Sequence, residues 1–194
     1  MNKLELNIEP SFESYDFQVR IIIDCNDVYP ELLGLDPIDF FKQDFYKPKS
    51  EIIIARCECG IIGCFDTTTK IEIADNMIFW STSNSEKFKF NATEYANCID
   101  QAKNDKTWEN IERKMERIIG SEFINYTYLN EYKLDWVSVR NSENQIKISY
   151  TRDNPLGYTD QEIFKIDWNG VNQEEAIQKA KNIRDTSGKF QKYQ

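Results

Sequence analysis

The sequence predicts an α+β fold: a largely antiparallel sheet of two to three hairpins, with a central helix pair and a C-terminal helix packed on it. Three observations carry that prediction. Apolar residues alternate with polar ones in several short runs bounded by turn residues. Helical spacing is confined to a few segments, most of them opened by a capping residue. Strands and helices also fail to alternate regularly, as a parallel βα architecture would require.

The elements follow in order along the chain. Leu4, Leu6 and Ile8 alternate with polar neighbours, as do Phe17, Val19, Ile21 and Ile23, which predicts an antiparallel hairpin. In "DPIDFF", Asp36 suits an N-cap and Pro37 the first helical position, so a short helix is expected over 37–44. A buried type of strand spans 51–57. Lys70–Ile73 and Met77–Trp80 flank the turn "ADN" as a second hairpin, and Phe88 and Phe90 mark a further strand. Asn91 with Glu94 resembles a capping box, and Tyr95, Cys98, Ile99 and Ala102 then recur at helical spacing. A second helix is expected from Thr107, with Trp108, Ile111, Met115, Ile118 and Ile119 on one face and Gly120 as its stop. The segment 121–132 is ambiguous between strand and helix. Val137 and Val139, then Ile146, Ile148 and Tyr150, predict a hairpin around "NSEN", followed by a strand through Phe164, Ile166 and Trp168. Asn172 with Glu175 caps the closing helix, whose stripe is Ala176, Ile177, Ala180 and Ile183.

At 194 residues, 40% hydrophobic and 13% aromatic, the chain can bury a core, and residues 1–194 read as a single domain. Seven glycines and no Pro/Gly/Ser-rich tract leave no flexible hinge. The absence of a long apolar run and of a signal-peptide core points to a cytoplasmic protein. In that compartment five cysteines read as thiols or ligands, not as a disulfide framework.

Two features narrow function. The net charge is −9, which disfavours nucleic acid and anionic membranes and favours a basic partner. Histidine is absent, which removes the commonest acid/base group, the commonest metal ligand and the Ser-His and Cys-His dyads. No phosphate-binding loop, dinucleotide fingerprint, nucleophile elbow or zinc-protease motif occurs. The chain is therefore expected not to be an enzyme and to need no cofactor.

"RCECGIIGCF" sets Cys57, Cys59 and Cys64 within eight positions. A structural zinc would need a fourth ligand, and Cys25 or Cys98 is not placed by the sequence to supply it. A reactive thiol would want more cations nearby than Arg56. A tight connection between central strands, turned by Gly60 and Gly63 with cysteines filling small gaps, needs nothing further. A metal-binding or thiol-dependent protein is thus the alternative reading, with Cys57, Cys59 and Cys64 as its ligands. This loop, followed by "MIFW" ending in Trp80, "FKF" and Tyr95, resembles a family of uncharacterised bacterial proteins carrying C-x-C-G-x-x-G-C before a Trp-bearing hairpin. The resemblance covers about residues 52–98; it implies a recurring scaffold for the loop and assigns no functional residue.

From 24 to 44 the chain carries Asp24, Asp27, Glu31, Asp36, Asp39 and Asp44 against one base, Lys42, with Tyr29, Phe40, Phe41, Phe45 and Tyr46 interleaved. Those six acids are the candidate partner-binding residues: carboxylates steer a basic partner and exposed aromatics anchor it. The expected function is protein binding, in the form of an immunity protein that neutralises a bacterial toxin domain.

Overall fold

The computed structural model describes residues 1–11, 16–57, 64–129, 131–140 and 144–192, and the fold is α+β with antiparallel sheets and four helices among them. Where the sequence reads as one domain over 1–194, the described chain gathers into two compact units, Met1–Trp108 and Glu109–Gln194. Each has its own hydrophobic core. No helix of the described residues is long and apolar enough to cross a membrane.

The first unit opens with β1 (Leu4–Ser11) and β2 (Asp16–Ile23), paired in the register Leu4↔Ile23 to Ser11↔Asp16, with β3 (Asn26–Asp27) on the far side of β2. The helix α1 (Pro37–Phe40) follows, capped by Asp36, whose carboxylate accepts the Ile38 N–H at 2.8 Å. It stops four residues short of expectation, because Lys42 and Gln43 turn their amides to the carbonyls three residues back, a tightened last turn that ends the α-helix. A four-stranded sheet is then laid down in sequence order by β4 (Glu51–Arg56), β5 (Asp66–Ala74), β6 (Met77–Thr82) and β7 (Lys87–Asn91). Helix α2 (Ala92–Asn104) leaves β7 directly, with Asn91 accepting the amides of Thr93 and Glu94. It packs on β1, β6 and β7 and sends Tyr95 and Ile99 into the core beside Trp80 and Phe90.

Backbone bonds stitch these two sheets together on both sides. Val19 donates to the Leu35 carbonyl at 2.8 Å, and Leu33 and Arg56 exchange two bonds of 2.8 Å, so the segment 33–35 bridges β2 to β4. On the other side Asn2 donates its amide to the Lys89 carbonyl and accepts the Lys89 N–H on its side chain, both at 2.8 Å. Gly34 makes the first stitch possible: a Cβ there would lie 2.2 Å from the Val19 carbonyl oxygen. Only a residue without a side chain tolerates that approach.

The second unit holds α3 (Ile111–Phe123), β8 (Tyr126–Tyr128), β9 (Lys133–Ser138), β10 (Gln145–Asp153), β11 (Thr159–Asp167), α4 (Gln173–Thr186) and β12 (Phe190–Lys192). Strands β11, β10 and β9 form an antiparallel sheet in that order, and β12 pairs with β8. Helix α3 packs on β9 and α4, and α4 packs on β11. The core is built from Met115, Ile119 and Phe123 of α3, Ile146, Ile148 and Tyr150 of β10, and Ala176 and Ala180 of α4.

Several expectations move. Helix α3 begins at Ile111, capped by Asn110 on the Arg113 N–H at 2.8 Å, and Thr107 belongs to a turn closed by the Asp105 carboxylate. Trp108 is therefore off the helix, with its ring 5.3 Å from that of Phe17. Gly120 is interior to α3 and does not end it; a Cβ there would meet Val137 at an ordinary 3.8 Å. The expected helix pair falls in separate units, α2 against β1 and β7 and α3 against β9 and α4. The cap at Asn172 forms as expected, accepting the Glu175 N–H at 3.1 Å.

Candidate functional site

Charge is unevenly shared along the chain. Residues 1–108 carry nineteen acids against eleven bases, a net of −8, and residues 109–194 fourteen against thirteen, a net of −1. The acidity that the composition records thus belongs to the first unit.

Within that unit the six candidate acids divide into two kinds. Three are occupied by the fold. Asp27 accepts both Nε and Nη2 of Arg20, at 2.9 and 2.5 Å, while the same guanidinium donates to the Tyr29 and Leu32 carbonyls. Arg20 is buried, so this network fastens the chain after β3 onto β2. Asp36 caps α1. Asp24, at a positive φ of 52° in the β2–β3 turn, accepts the Asn2 amide and the Lys3 N–H at 2.7 Å each. Those two bonds hold its carboxyl below the usual range. The other three, Glu31, Asp39 and Asp44, are exposed, with Asp39 paired to Lys42 at 2.9 Å.

The interleaved aromatics divide in the same way. Phe40 and Phe45 are core and Tyr29 is buried, whereas Tyr46 is 46% exposed. Its amide reaches the Asp44 carboxylate at 3.3 Å, and its hydroxyl donates to Asp100 of α2 at 2.7 Å. The ring stands edge-on to Tyr95, 6.5 Å between centroids, and the Tyr95 hydroxyl accepts the Trp80 indole N–H at 3.2 Å. Tyr46 is therefore braced from the core, with its hydroxyl on the Asp100 carboxylate and its backbone amide on that of Asp44. Its hydroxyl is raised above the ordinary tyrosine range, by desolvation first and then by Asp100.

A second tyrosine repeats the device from inside. The Tyr29 hydroxyl donates to Glu86 at 2.8 Å, with Glu31 close enough to act on it electrostatically. Burial, with Glu86 adding to it, pushes that hydroxyl up to about 12. Glu86 and Asp100 are the partners that sequence reasoning missed. They stand 57 and 54 residues from their tyrosines, and only their polar positions in a turn and on a helix face could have marked them.

The cysteine reading rests on a loop only part of which is described. Cys59, Gly60 and Gly63 lie outside the described residues; Cys57 is half-buried, with its amide on the Phe65 carbonyl at 3.0 Å, and Cys64 is exposed. Among the described residues, no three Cys, Asp or Glu side chains gather as a metal site. Cys25 is exposed in the β2–β3 turn; Cys98 is half-buried on α2, and burial raises its thiol. Cys98 also lines a cleft of about 800 Å³ beside β1 and α2, whose polar rim includes Lys3, Glu5, Glu94 and Asp105. Lys3 and Glu5 are ion-paired across that rim at 2.6 Å.

Comparison with protein-family models, curated proteins and solved structures gives no match for this chain. What the surface can do chemically is offer fixed carboxylates and one braced phenol to a cationic partner. A lysine or arginine side chain would meet charge from Asp44 and Asp100 and the face of Tyr46.

Proposed function

We propose that this chain is a non-enzymatic binding protein of the cytoplasm, an immunity protein that occludes a basic toxin domain through the acidic surface of its first unit. The observation that carries the reading is the exposed Tyr46, its hydroxyl fixed on Asp100 and its backbone amide on exposed Asp44, on a unit of net charge −8. A protein that cuts or grips nucleic acid is basic where it meets phosphate, and an acidic surface competes for that same face. Long-range attraction speeds encounter, and an exposed aromatic fixed by a carboxylate adds contact area once the partners meet.

The test is co-expression with a panel of basic nuclease toxin domains, followed by association kinetics on the purified pair. The parent chain should rescue growth. The double reversal Asp44→Lys with Asp100→Lys should slow association about tenfold at low salt and flatten its salt dependence. Unaltered rates, or no binding by the parent chain, would refute the proposal.

A further inference from the structure

The second unit leaves a long strand edge without a partner. Strand β11 ends its sheet, in the order β11, β10, β9, and pairs with β10 over nine positions without a bulge. Six of its nine residues are exposed. Two backbone bonds fix which of its groups face β10. Asn154 donates to the Tyr158 carbonyl at 2.7 Å at one end, and Trp168 to the Asn144 carbonyl at 2.9 Å at the other. Bonded and non-bonded pairs alternate along an antiparallel ladder, so the even-numbered residues of β11 bond to β10. Thr159, Gln161, Ile163, Lys165 and Asp167 therefore turn their amides and carbonyls outward. Among the described residues, the Asp167 carbonyl alone is met there, by the Lys179 amine at 3.3 Å. The other long edges are covered: β1 by α2, β4 by the 33–35 bridge, β7 by Asn2 and β9 by α3. A regular edge of this length, free of proline, is a template for another strand.

We infer that this edge pairs with the same edge of a second copy of the chain, through an antiparallel two-fold ladder centred on Ile163. The side chains select that occupant. A two-fold ladder sets outward groups against outward groups only when it is centred on a residue. Centring on Ile163 uses all nine positions of β11. It sets Ile163 against its own copy, Gln161 against Lys165, Glu162 against Phe164, Asp160 against Ile166 and Thr159 against Asp167, so no like charges stand opposite each other. Centring one residue earlier would oppose Glu162 to itself, and centring two residues later would oppose Lys165 to itself. Ile163, 44% exposed, is the one large apolar side chain among the five outward residues, and in this register it gains an apolar neighbour. The second unit, at a net charge of −1, adds little repulsion between the copies at this edge. The inference is independent of the function proposed above.

The experiment is sedimentation of three full-length chains, the parent, Ile163→Lys and Ile163→Asp, from low micromolar to submillimolar concentration. The mass of the parent should rise twofold across that range. Thermal melts confirm that both variants keep their fold, since the substituted position is exposed. Each variant alone should self-associate at least about tenfold more weakly, because a charge then stands opposite its copy. Mixed in equal amounts, the two variants should recover a dimer within about threefold of the parent's affinity, because lysine then faces aspartate. A parent chain that stays monomeric would overturn the inference and leave the edge to a strand of a different protein. A dimer equally strong in either variant would overturn it as well, since the contact would lie elsewhere. Variants that each lose the dimer and stay apart when mixed would overturn the register centred on Ile163.

Discussion

In the first unit, Glu31, Asp44, Glu86 and Asp100 reach solvent, and two of them are fixed by tyrosine hydroxyls. In the second unit, Glu109, Glu116 and Glu122 turn toward arginines instead. Glu116 is almost wholly buried; it accepts Arg113 at 2.6 Å on one oxygen, and Arg140 at 3.0 Å and the Val139 N–H at 2.9 Å on the other. Glu109 takes both arms of Arg117 at 2.5 and 2.9 Å, and Glu122 takes Arg184 at 2.7 Å and Lys181 at 3.3 Å. The four acids named for the first unit are displayed, whereas the three named for the second are matched to arginines. Net charge by itself hides this, because a matched carboxylate contributes to architecture and a displayed one to encounter.

The sharpest way to break that contrast is to remove Glu116. Glu116→Ala takes the Glu116 carboxylate from the buried Arg113 guanidinium and frees the Val139 amide, and should cost about 3–5 kcal/mol in urea unfolding. Replacing both partners, Arg113→Met with Glu116→Leu, should recover part of that loss, because the Arg113 charge leaves with its carboxylate, while Arg140 and the Val139 amide still lose Glu116. By contrast Asp44→Asn with Asp100→Asn should change stability by only about 0.5 kcal/mol, since both acids are exposed and Asn at 100 still accepts from Tyr46. If the exposed pair cost as much as Glu116, the distinction between display and matching would fail.

How much of this was legible in the sequence follows from range. Caps at Asp36, Asn91 and Asn172 were readable because an N-cap is settled within three or four residues, and strands such as β2 and β10 because alternation is local. Helix α3 was misplaced at both ends, since Asp105 and Asn110 are both able to cap and Gly120 resembles a stop; tertiary contact chose between them. The acidic run was visible, yet its division was not. Asp27 looks like Asp44 in one dimension, and only the arrival of Arg20 from β2 assigns it to an ion pair of the fold. Strand β12 was too short to announce itself and is fixed by pairing to β8 more than sixty residues upstream.

The units also differ in what secures their sheets, and Gly34 probes that difference at the next lower magnitude. Gly34→Ala would drive a methyl into the Val19 carbonyl, and backbone on both sides leaves little room to yield. The expected loss is about 1–3 kcal/mol, with faster amide exchange at Val19 and Arg56, the donors on either side of the 33–35 bridge. Gly120→Ala in the second unit is the matching control. Its Cβ meets only Val137 at 3.8 Å inside a helix, so that change should stabilise, by about 0.5–1 kcal/mol.

The smallest effect is expected from pH, on the side of the first unit. Tyr29 ionises near 12 when folded, against an ordinary 10.0, and Tyr46 and Tyr95 are raised as well. Between those two values the unfolded chain has lost protons that the folded chain retains, so stability falls as pH rises. The contribution is complete below 10 and disappears as pH climbs through about 12. Thermal midpoints measured from pH 8 to 12 should therefore decline on the alkaline side, and Tyr29→Phe should make that decline shallower. Tyr46→Phe should do so too, while also releasing Asp100 from its hydroxyl partner. An alkaline slope unchanged in both variants would mean that the tyrosines do not hold these carboxylates in solution, and the display of Asp100 and Glu86 would lose its physical basis.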